Sequence, residues 1–262
     1  MEVMPIMKVA AKSDLGRVRI NNEDCLLVDE RLGLLIVADG MGGHAGGEVA
    51  SALAIGAIAA YVKGRLAEPE PTNYIIALLQ AAIHTADEVI WTTAHTHREL
   101  QDMGTTVVLA LCQGDQVHVA HVGDSRAYLL HDGELRQLTE DHSVVAQLIK
   151  AGQLTLRKAR SHPLRHQITR HLGRRDAVAE LHCVTWQRGD SLLLCSDGLT
   201  NMVDDHHIAE LILRGGTDVQ ATCEALVARA NANGGMDNIS VILAQRDYAS
   251  TCVGGRGKNM SR

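Results

Sequence analysis

Phenylalanine is absent from this sequence of 262 residues, and aromatic residues make up only 2% of it. The hydrophobic core must therefore be built from Leu, Ile, Val and Ala. Apolar residues reach 46% and charged residues 21%, a balance that excludes a disordered chain. The length suits one large domain or two small ones.

An excess of basic residues is also lacking, since the net charge is −6. Nucleic-acid-binding domains usually carry a basic surface, so we expect no nucleic-acid partner. No apolar run is long enough to span a bilayer without charges, and residues 1–19 lack the apolar core of a signal peptide. The sequence therefore predicts a cytoplasmic protein without a membrane partner, and we expect a monomer.

Paired cysteines are missing as well. The six cysteines are scattered and none forms a C-x-x-C pair. Most lie in apolar stretches, which favours small buried side chains over disulfides or zinc ligands.

Hydrophobic periodicity predicts an α+β protein with antiparallel sheets. Strands are expected within residues 25–39, 105–139 and 179–197 and at 238–245, the second group forming an antiparallel meander. Helices are expected at residues 48–62, 73–96, 143–151, 205–214 and 218–231. Residues 154–172 fit neither period and are rich in Arg and His, which indicates an excursion between elements.

The stretch "VADGMGGHAGGE" follows an apolar strand and contains G-x-G-x-x-A at Gly40, Gly42 and Ala45. This pattern occurs in dinucleotide-binding loops, but two features exclude that interpretation. Asp39 puts a carboxylate where the phosphates would lie, and no second parallel strand follows about 20 residues later. A simple hairpin turn fails too, because the residues after Gly40 run into a helix rather than a paired strand.

Four aspartates lie at strand ends: Asp39, Asp124, Asp197 and Asp237. Each alone is more typical of a turn or a cap, but together they can converge on one edge of packed sheets. Converging carboxylates repel unless some are protonated or cations lie between them. An oxygen-only ligand set favours Mg²⁺ or Mn²⁺ over zinc.

The segment "SDLGRVRINNEDCLLV" precedes the first long strand pair. Arg19 offers a planar fork that can hold two phosphate oxygens. Glu23 and Asp24 add acidity suited to orienting metal-bound waters. Taken alone, the segment is equally consistent with a solvated charged turn.

Eight motifs in order make the sequence resemble the metal-dependent protein phosphatases, the type 2C serine/threonine phosphatases in their bacterial form. D-x-G-x-x-R-x-x-N-E-D begins at Asp14, and the series ends at Ile242. Between them stand "VADGMGGHAGGE", "GTT", "HVGDSRAYL", "LTEDHS", "ITRHLG", "GDSLLLCSDGL" and "DNISVI".

This resemblance implies a four-layer α/β/β/α sandwich with two antiparallel sheets. It implies a catalytic domain at residues 8–247, with a flap subdomain at 146–165. Residues 250–262, which are rich in glycine and basic residues, are expected to form a flexible tail. The basic flap residues Arg157, Lys158, Arg160 and Arg165 suit contact with an acidic or phosphorylated peptide, although a solvated loop explains them equally well.

The resemblance also implies the roles of individual residues. Asp39 would bridge two Mn²⁺ or Mg²⁺ ions, with one also bound by the carbonyl of Gly40 and the second held by Asp197 and Asp237. Asp124 would match the position of a third ion. Glu23 and Asp24 would bind metal-coordinated waters, and Arg19 would hold the substrate phosphate.

The implied reaction is hydrolysis of phosphoserine or phosphothreonine by a water that bridges the metals, opposing a bacterial eukaryotic-like kinase. Met41 stands where several eukaryotic members carry a general-acid histidine; His44 is a candidate replacement, and the alternative is a capping role. Two other functions remain open, a small-molecule phosphatase and a pseudophosphatase that binds phosphoprotein without cleaving it. The intact aspartates disfavour the second.

Overall fold

The computed structural model describes residues 7–42, 46–66, 70–159 and 162–247. Within these residues the chain forms eleven strands and seven helices. The strands are β1 Met7–Asp14, β2 Asp24–Asp29, β3 Leu34–Met41, β4 Gly104–Thr105, β5 Val107–Gln113, β6 Gln116–Val122, β7 Arg126–His131, β8 Glu134–Gln137, β9 Glu180–Thr185, β10 Ser191–Cys195 and β11 Ile239–Arg246. The helices are α1 Gly46–Lys63, α2 Thr72–Thr96, α3 Val144–Lys150, α4 Leu156–Ala159, α5 Asp197–Thr200, α6 Asp205–Gly215 and α7 Val219–Ala232.

The strands form two antiparallel sheets. The first has the order β1-β11-β10-β7-β8, and the second has the order β2-β3-β5-β6-β9 with β4 paired to β3. One apolar cluster lies between the sheets, a second joins α1 and α2 to the second sheet, and a third joins α6 and α7 to the first sheet. The predicted four-layer α/β/β/α sandwich is therefore confirmed.

Strand β3 contributes side chains to the two apolar clusters on its two faces. Leu34 and Ile36 face the helices α1 and α2, whereas Leu35 and Val37 face the opposite sheet. Both faces of the strand are buried, which is why its sequence is a continuous apolar run rather than an alternation. Two of the few aromatic residues, Trp186 and Tyr128, are the largest fully buried side chains.

The five predicted helices are confirmed as α1, α2, α3, α6 and α7, with ends within two residues of those expected. Helix α7 ends where Gly234 and Gly235 take positive φ angles of 132° and 53°. These are conformations in which glycine carries no steric penalty.

The prediction of a single meander across residues 105–139 is wrong. β5 pairs with β6 in the second sheet, and β7 pairs with β8 in the first. The chain changes sheets at Gly123, which has a φ of 113°. β6 and β7 are both mostly buried. Their apolar sequences are therefore compatible with two arrangements, pairing as neighbours in one sheet or lying in two sheets that pack against each other.

Strand β1 was not expected from the sequence. It pairs along its whole length with β11, from Met7 opposite Arg246 to Asp14 opposite Ile239. It is an edge strand with exposed lysines and one buried alanine, Ala10, so its sequence carries little hydrophobic signal.

The predicted burial of cysteines holds for three of the five in the described residues. Cys112, Cys195 and Cys223 are buried, Cys25 is half-buried and Cys183 is exposed, and all five are free thiols. Cys252 lies outside the described residues. Among the helices that are described, none combines the length and hydropathy required to cross a bilayer.

Candidate metal centre

Four aspartates at strand ends from both sheets line one cleft with a volume of about 1340 Å³. Asp39 lies near the end of β3, and Asp124 lies in the turn between β6 and β7. Asp197 begins α5, two residues after the end of β10, and Asp237 lies two residues before β11. Arg19, Glu23 and Gly40 line the same cleft. The fold thus brings together residues that are up to 218 positions apart in sequence.

Asp24 lies next to this group and pairs with Asp39 across the β2–β3 ladder. Its Oδ2 atom accepts a hydrogen bond from the Ser196 hydroxyl at 2.8 Å. Ser196 in turn accepts the backbone N–H of Ser240 at 3.0 Å. Through these bonds the carboxylate is fixed between β2 and the ends of β10 and β11.

The carboxyl groups lie close together and are at least half-buried, and this arrangement raises the pKa values of several of them. Burial, followed by the charges of Asp24 and Asp197, raises the pKa of Asp39 well above its ordinary value. Burial and the Asp197 charge do the same to the pKa of Asp124. Burial raises the pKa of Asp24 to about 7. The protein chain alone therefore gathers more negative charge than it compensates.

Two carboxylate oxygens in this group lack any hydrogen-bond partner although they are buried. They are Oδ1 of Asp24 and Oδ1 of Asp197. Unpartnered buried polar atoms are uncommon, because they lose hydration without a replacement. A divalent cation supplies that replacement and offsets the charge, so the donor set fits hard cations such as Mn²⁺ or Mg²⁺.

Gly40 is a position where only glycine fits. A Cβ atom there would lie 2.1 Å from the carbonyl oxygen of Gly47 and 2.5 Å from that of Glu23. The Gly40 amide also donates to the Glu23 carbonyl at 3.1 Å. This close approach brings the start of α1 and the Glu23 segment against the end of β3.

Arg19 lies at the edge of the cleft, with about half of its side chain exposed. Its Nη2 atom donates to Oδ2 of Asp237 at 2.8 Å. Because guanidinium has five N–H donors, this bond leaves others that can reach an anionic group in the cleft. A positive group thus stands beside an acidic cluster.

Comparison with known proteins identifies the family. The family model described as "Protein phosphatase 2C" matches residues 17–244. The chain belongs to the protein phosphatase 2C family. The predicted membership in the metal-dependent phosphatases is thereby confirmed.

Curated relatives in this family are bacterial phosphatases. The chain is 40% identical over 249 residues to the serine/threonine protein phosphatase PstP of Mycobacterium tuberculosis, a match that covers 94% of this chain and 47% of PstP. The chain therefore spans about half the length of that relative. It is 40% identical over 245 residues to the serine/threonine phosphatase Stp of Listeria monocytogenes, with 92% of this chain and 96% of Stp covered.

Solved structures of the protein phosphatase 2C family agree with the fold. The M. tuberculosis PstP structure matches with a TM-score of 0.85 and 39% identity over 92% of this chain and 99% of that one. The PstP catalytic domain has also been solved in complex with two manganese ions, and it matches with a TM-score of 0.82 and 38% identity, again over 92% and 99% of the two chains.

The sequence singles out Met41 and His44 in the segment that follows Asp39 and Gly40. His44 lies outside the described residues, which resume at Gly46. Met41 lines the cleft, as its place after Asp39 and Gly40 predicts.

Two cleft residues of this family member were not anticipated as functional. Asn201 donates its Nδ2–H to Oδ2 of Asp197 at 2.9 Å. His166 lines the cleft from the flap side, and its charge opposes the rise in the pKa of Asp197. The contact of Asn201 could have been predicted from the sequence, because Asn201 follows Asp197 by four positions and residues i and i+4 share a helix face.

The turn that carries Asp124 is held from behind by His142, another residue the sequence did not single out. The backbone N–H of Gly123 donates to Nδ1 of His142 at 3.1 Å. The hydroxyls of Thr106 and Ser125 form a buried bond of 2.6 Å under the same turn. These bonds fix Asp124 relative to β3, since the amide of Asp39 donates to Oγ1 of Thr106 at 3.3 Å.

Behind this turn, His121, His142 and Glu180 place three potential ligand atoms within 4.8 Å of one another. Burial lowers the pKa of His142, and its Nδ1 atom already accepts the Gly123 amide. The neutral ring therefore carries its proton on Nε2, which lies 3.0 Å from Oε1 of Glu180. Arg170 also contacts that oxygen at 3.0 Å. His142 thus belongs to a network with Glu180 and Arg170, whose Nη1 atom also lies 3.1 Å from Nε2, whereas Nδ1 of the neighbouring His121 is buried without a partner.

The flap, residues 146–165, lines the cleft through Ala146, Ile149, Lys150, Leu156, Ala159 and Arg165, and His166 and Ile168 continue this lining just beyond it. Among the basic residues expected there, Arg165 lines the cleft and Arg157 is exposed on α4. Arg160 lies outside the described residues. The flap thus contributes both apolar and basic groups to the lining of the cleft.

Proposed function

We propose that this chain is a Mn²⁺- or Mg²⁺-dependent serine/threonine protein phosphatase that hydrolyses phosphoserine and phosphothreonine in proteins. The observation that carries the proposal is the convergence of buried carboxylates with unpartnered oxygens beside Arg19 in an open cleft. The names of the relatives, all bacterial protein phosphatases, support the same reaction.

For the ions we propose the ligands inferred from the sequence. Asp39 and the Gly40 carbonyl would hold one ion, with Asp39 shared by a second ion that Asp197 and Asp237 complete. Asp124 would contribute to a third. Glu23 and Asp24 would orient coordinated waters. When bound, such ions make a water acidic enough to act near neutral pH and offset charge on the phosphate.

The remaining chemistry belongs to the chain's own groups. Arg19 would hold the phosphate oxygens with the N–H groups that Asp237 does not use, and so would orient the phosphorus toward the acidic cluster. Hydrolysis breaks the bond between phosphorus and the seryl or threonyl oxygen, which must gain a proton as it leaves. We propose His44 as the donor of that proton.

The wider context is also proposed. We infer a catalytic domain at residues 8–247 with a flap at 146–165; the tail expected at residues 250–262 lies outside the described residues. We expect a cytoplasmic monomer in bacterial signalling, with phosphorylated proteins as substrates and a eukaryotic-like Ser/Thr kinase as its opposing enzyme.

The test is metal-dependent hydrolysis of a phosphothreonine peptide, measured beside p-nitrophenyl phosphate. Turnover should require Mn²⁺ or Mg²⁺, should stop with a chelator, and should fall at least about 1,000-fold in Asp39→Asn. Asp190→Asn is the control, because Asp190 is a buried carboxylate at the opposite end of β10 from Asp197. Turnover that survives both the chelator and Asp39→Asn would refute the mechanism.

The same assay separates the two alternatives. Cleavage of p-nitrophenyl phosphate without cleavage of the peptide would indicate a small-molecule phosphatase. Binding of the phosphopeptide with no turnover under any metal condition would indicate a pseudophosphatase.

A further inference from the structure

Asn238 is a buried side chain, 4% exposed, whose amide group bonds to three separate backbone positions of one loop. Its Oδ1 atom accepts the backbone N–H of Glu23 at 2.8 Å. Its Nδ2 atom donates to the carbonyl oxygens of Leu15 and Asn21, both at 3.0 Å. All three bonds go to residues 15–23, which are 215 to 223 positions away in sequence.

That loop, residues 15–23 between β1 and β2, has no regular secondary structure, and its residues 17–21 are exposed. It nevertheless carries Arg19 and Glu23, two of the cleft residues. An exposed segment without a helix or strand has little apolar burial to fix it, so its position depends on hydrogen bonds.

The loop has other ties besides Asn238. Arg17 bonds to the Gly235 carbonyl through its amide at 2.7 Å and to the Asn231 carbonyl through Nε at 3.0 Å, and Arg19 pairs with Asp237. At the end of the loop, Nδ2 of Asn22 donates to the Ser13 hydroxyl at 2.8 Å, and the Glu23 carbonyl accepts the Gly40 amide at 3.1 Å and the Ser51 hydroxyl at 2.7 Å.

Asn238 is itself fixed on both sides. Its backbone N–H donates to Oδ1 of Asp237 at 2.8 Å. Its carbonyl oxygen lies against Gly198, where a Cβ would come within 1.9 Å of it. The side chain therefore joins the loop of Arg19 and Glu23 to the two segments that carry Asp197 and Asp237.

We propose that Asn238 is a positioning residue that holds Arg19 and Glu23 in place against the acidic cluster. The catalytic part of this inference rests on the proposed phosphatase function, whereas the anchoring part does not. Asparagine is required because one side chain must accept one N–H and donate to two carbonyls at once. Aspartate keeps the acceptor but places a carboxylate oxygen against two carbonyl oxygens, and serine is too short to span the loop.

The anchoring is measured by native-state trypsin digestion, because the loop contains Arg17 and Arg19. In Asn238→Ser, cleavage after these residues should become at least about tenfold faster than in the parent protein, since an opened loop is cleaved in proportion to its population. Asn238→Asp should show the same effect, and it decides the matter if the serine variant does not fold. Asp190→Asn is the control, for it removes buried hydrogen bonds far from the loop.

The positioning role is measured by a double-mutant cycle on phosphopeptide hydrolysis. Asn238→Ser should lower kcat/KM by about 10–100-fold with a raised KM, because displacement of a substrate-orienting group by about 1 Å carries a penalty of that size. In a background that carries both Arg19→Ala and Glu23→Gln, the same change should lower kcat/KM by no more than about threefold. Non-additivity of this kind shows that Asn238 acts together with these two residues.

Three outcomes overturn the proposal. Trypsin cleavage of the loop at the parent rate would refute the anchoring, whether or not the protein is an active phosphatase. Loop release with unchanged kcat/KM would refute the positioning role. A loss of kcat/KM that is equally large in the Arg19→Ala/Glu23→Gln background would mean that Asn238 supports the fold without acting through these two residues. An inactive parent protein would refute the proposed function, and the digestion would still decide the anchoring.

Discussion

Replacing Asp24 with asparagine should stabilise the metal-free protein at alkaline pH. Asp24 lies against Asp39, Asp197 and Asp237, and its Oδ1 atom is buried without a partner. The asparagine side chain would keep an oxygen for the Ser196 hydroxyl while removing a buried negative charge. In the absence of ions that charge opposes folding.

The size of the effect follows from the pKa of Asp24, which burial raises from 3.8 to about 7. The folded state binds this proton more tightly than the unfolded state does. Stability is therefore fully present below about pH 4 and is lost as pH rises through about 7. The complete loss corresponds to about 4 kcal/mol, of which about 2 kcal/mol falls between pH 5.5 and pH 8.

The assay is urea unfolding with a chelator at pH 5.5 and pH 8, monitored by the buried Trp186. The advantage of Asp24→Asn over the parent protein should be larger at pH 8 than at pH 5.5 by about 2 kcal/mol. Ile58→Val is the control, because it trims a fully buried side chain beside the second sheet. It should lower stability by about 1 kcal/mol at both pH values.

An equal difference between parent and variant at both pH values would refute this reasoning, as would a variant less stable than the parent at pH 8. Added Mn²⁺ supplies an independent check. It should stabilise the parent protein more than the variant at pH 8, because a cation compensates the charge that asparagine lacks.

Two further predictions concern packing and a buried carboxylate. Gly198→Ala places a Cβ 1.9 Å from the Asn238 carbonyl oxygen. Thermal unfolding should therefore show that the free energy of unfolding falls by about 1–3 kcal/mol, and phosphatase activity should fall as well. Gly56→Ala is the control, because a Cβ at this position on α1 lies in open space and should not destabilise the protein. Asp87, fully buried on α2, accepts four backbone N–H groups from residues 173–177. Asp87→Asn turns an N–H toward the Ala177 amide and should cost about 2 kcal/mol in urea unfolding, and no loss would refute the role of that carboxylate.

Much of the secondary structure could be predicted from local sequence patterns. The helices follow from 3.6-residue periodicity and from glycines at their ends, and buried strands such as β3 follow from continuous apolar runs. Asp39 and Asp197 could be found because each ends such a run and is followed by glycine. Their convergence could be argued from their positions at strand ends. The need for cations then followed from the repulsion between converging carboxylates.

Pairing between distant strands was decided by the tertiary structure. β6 and β7 are both mostly buried, so their sequences do not show that they join different sheets on either side of Gly123. β1 became visible only as a partner of β11, because an edge strand buries little of its own surface.

The residues that support the site could likewise be recognised only in the folded structure. Asn238, His142 and Ser196 are ordinary polar residues in the sequence, and each acquires a role through one or two hydrogen bonds to segments far along the chain. The sequence by itself determined which residues carry charge and where strands end. Only the folded chain determined which of those ends meet and what holds them, because hydrogen bonds depend on distances that close only when both sheets are packed.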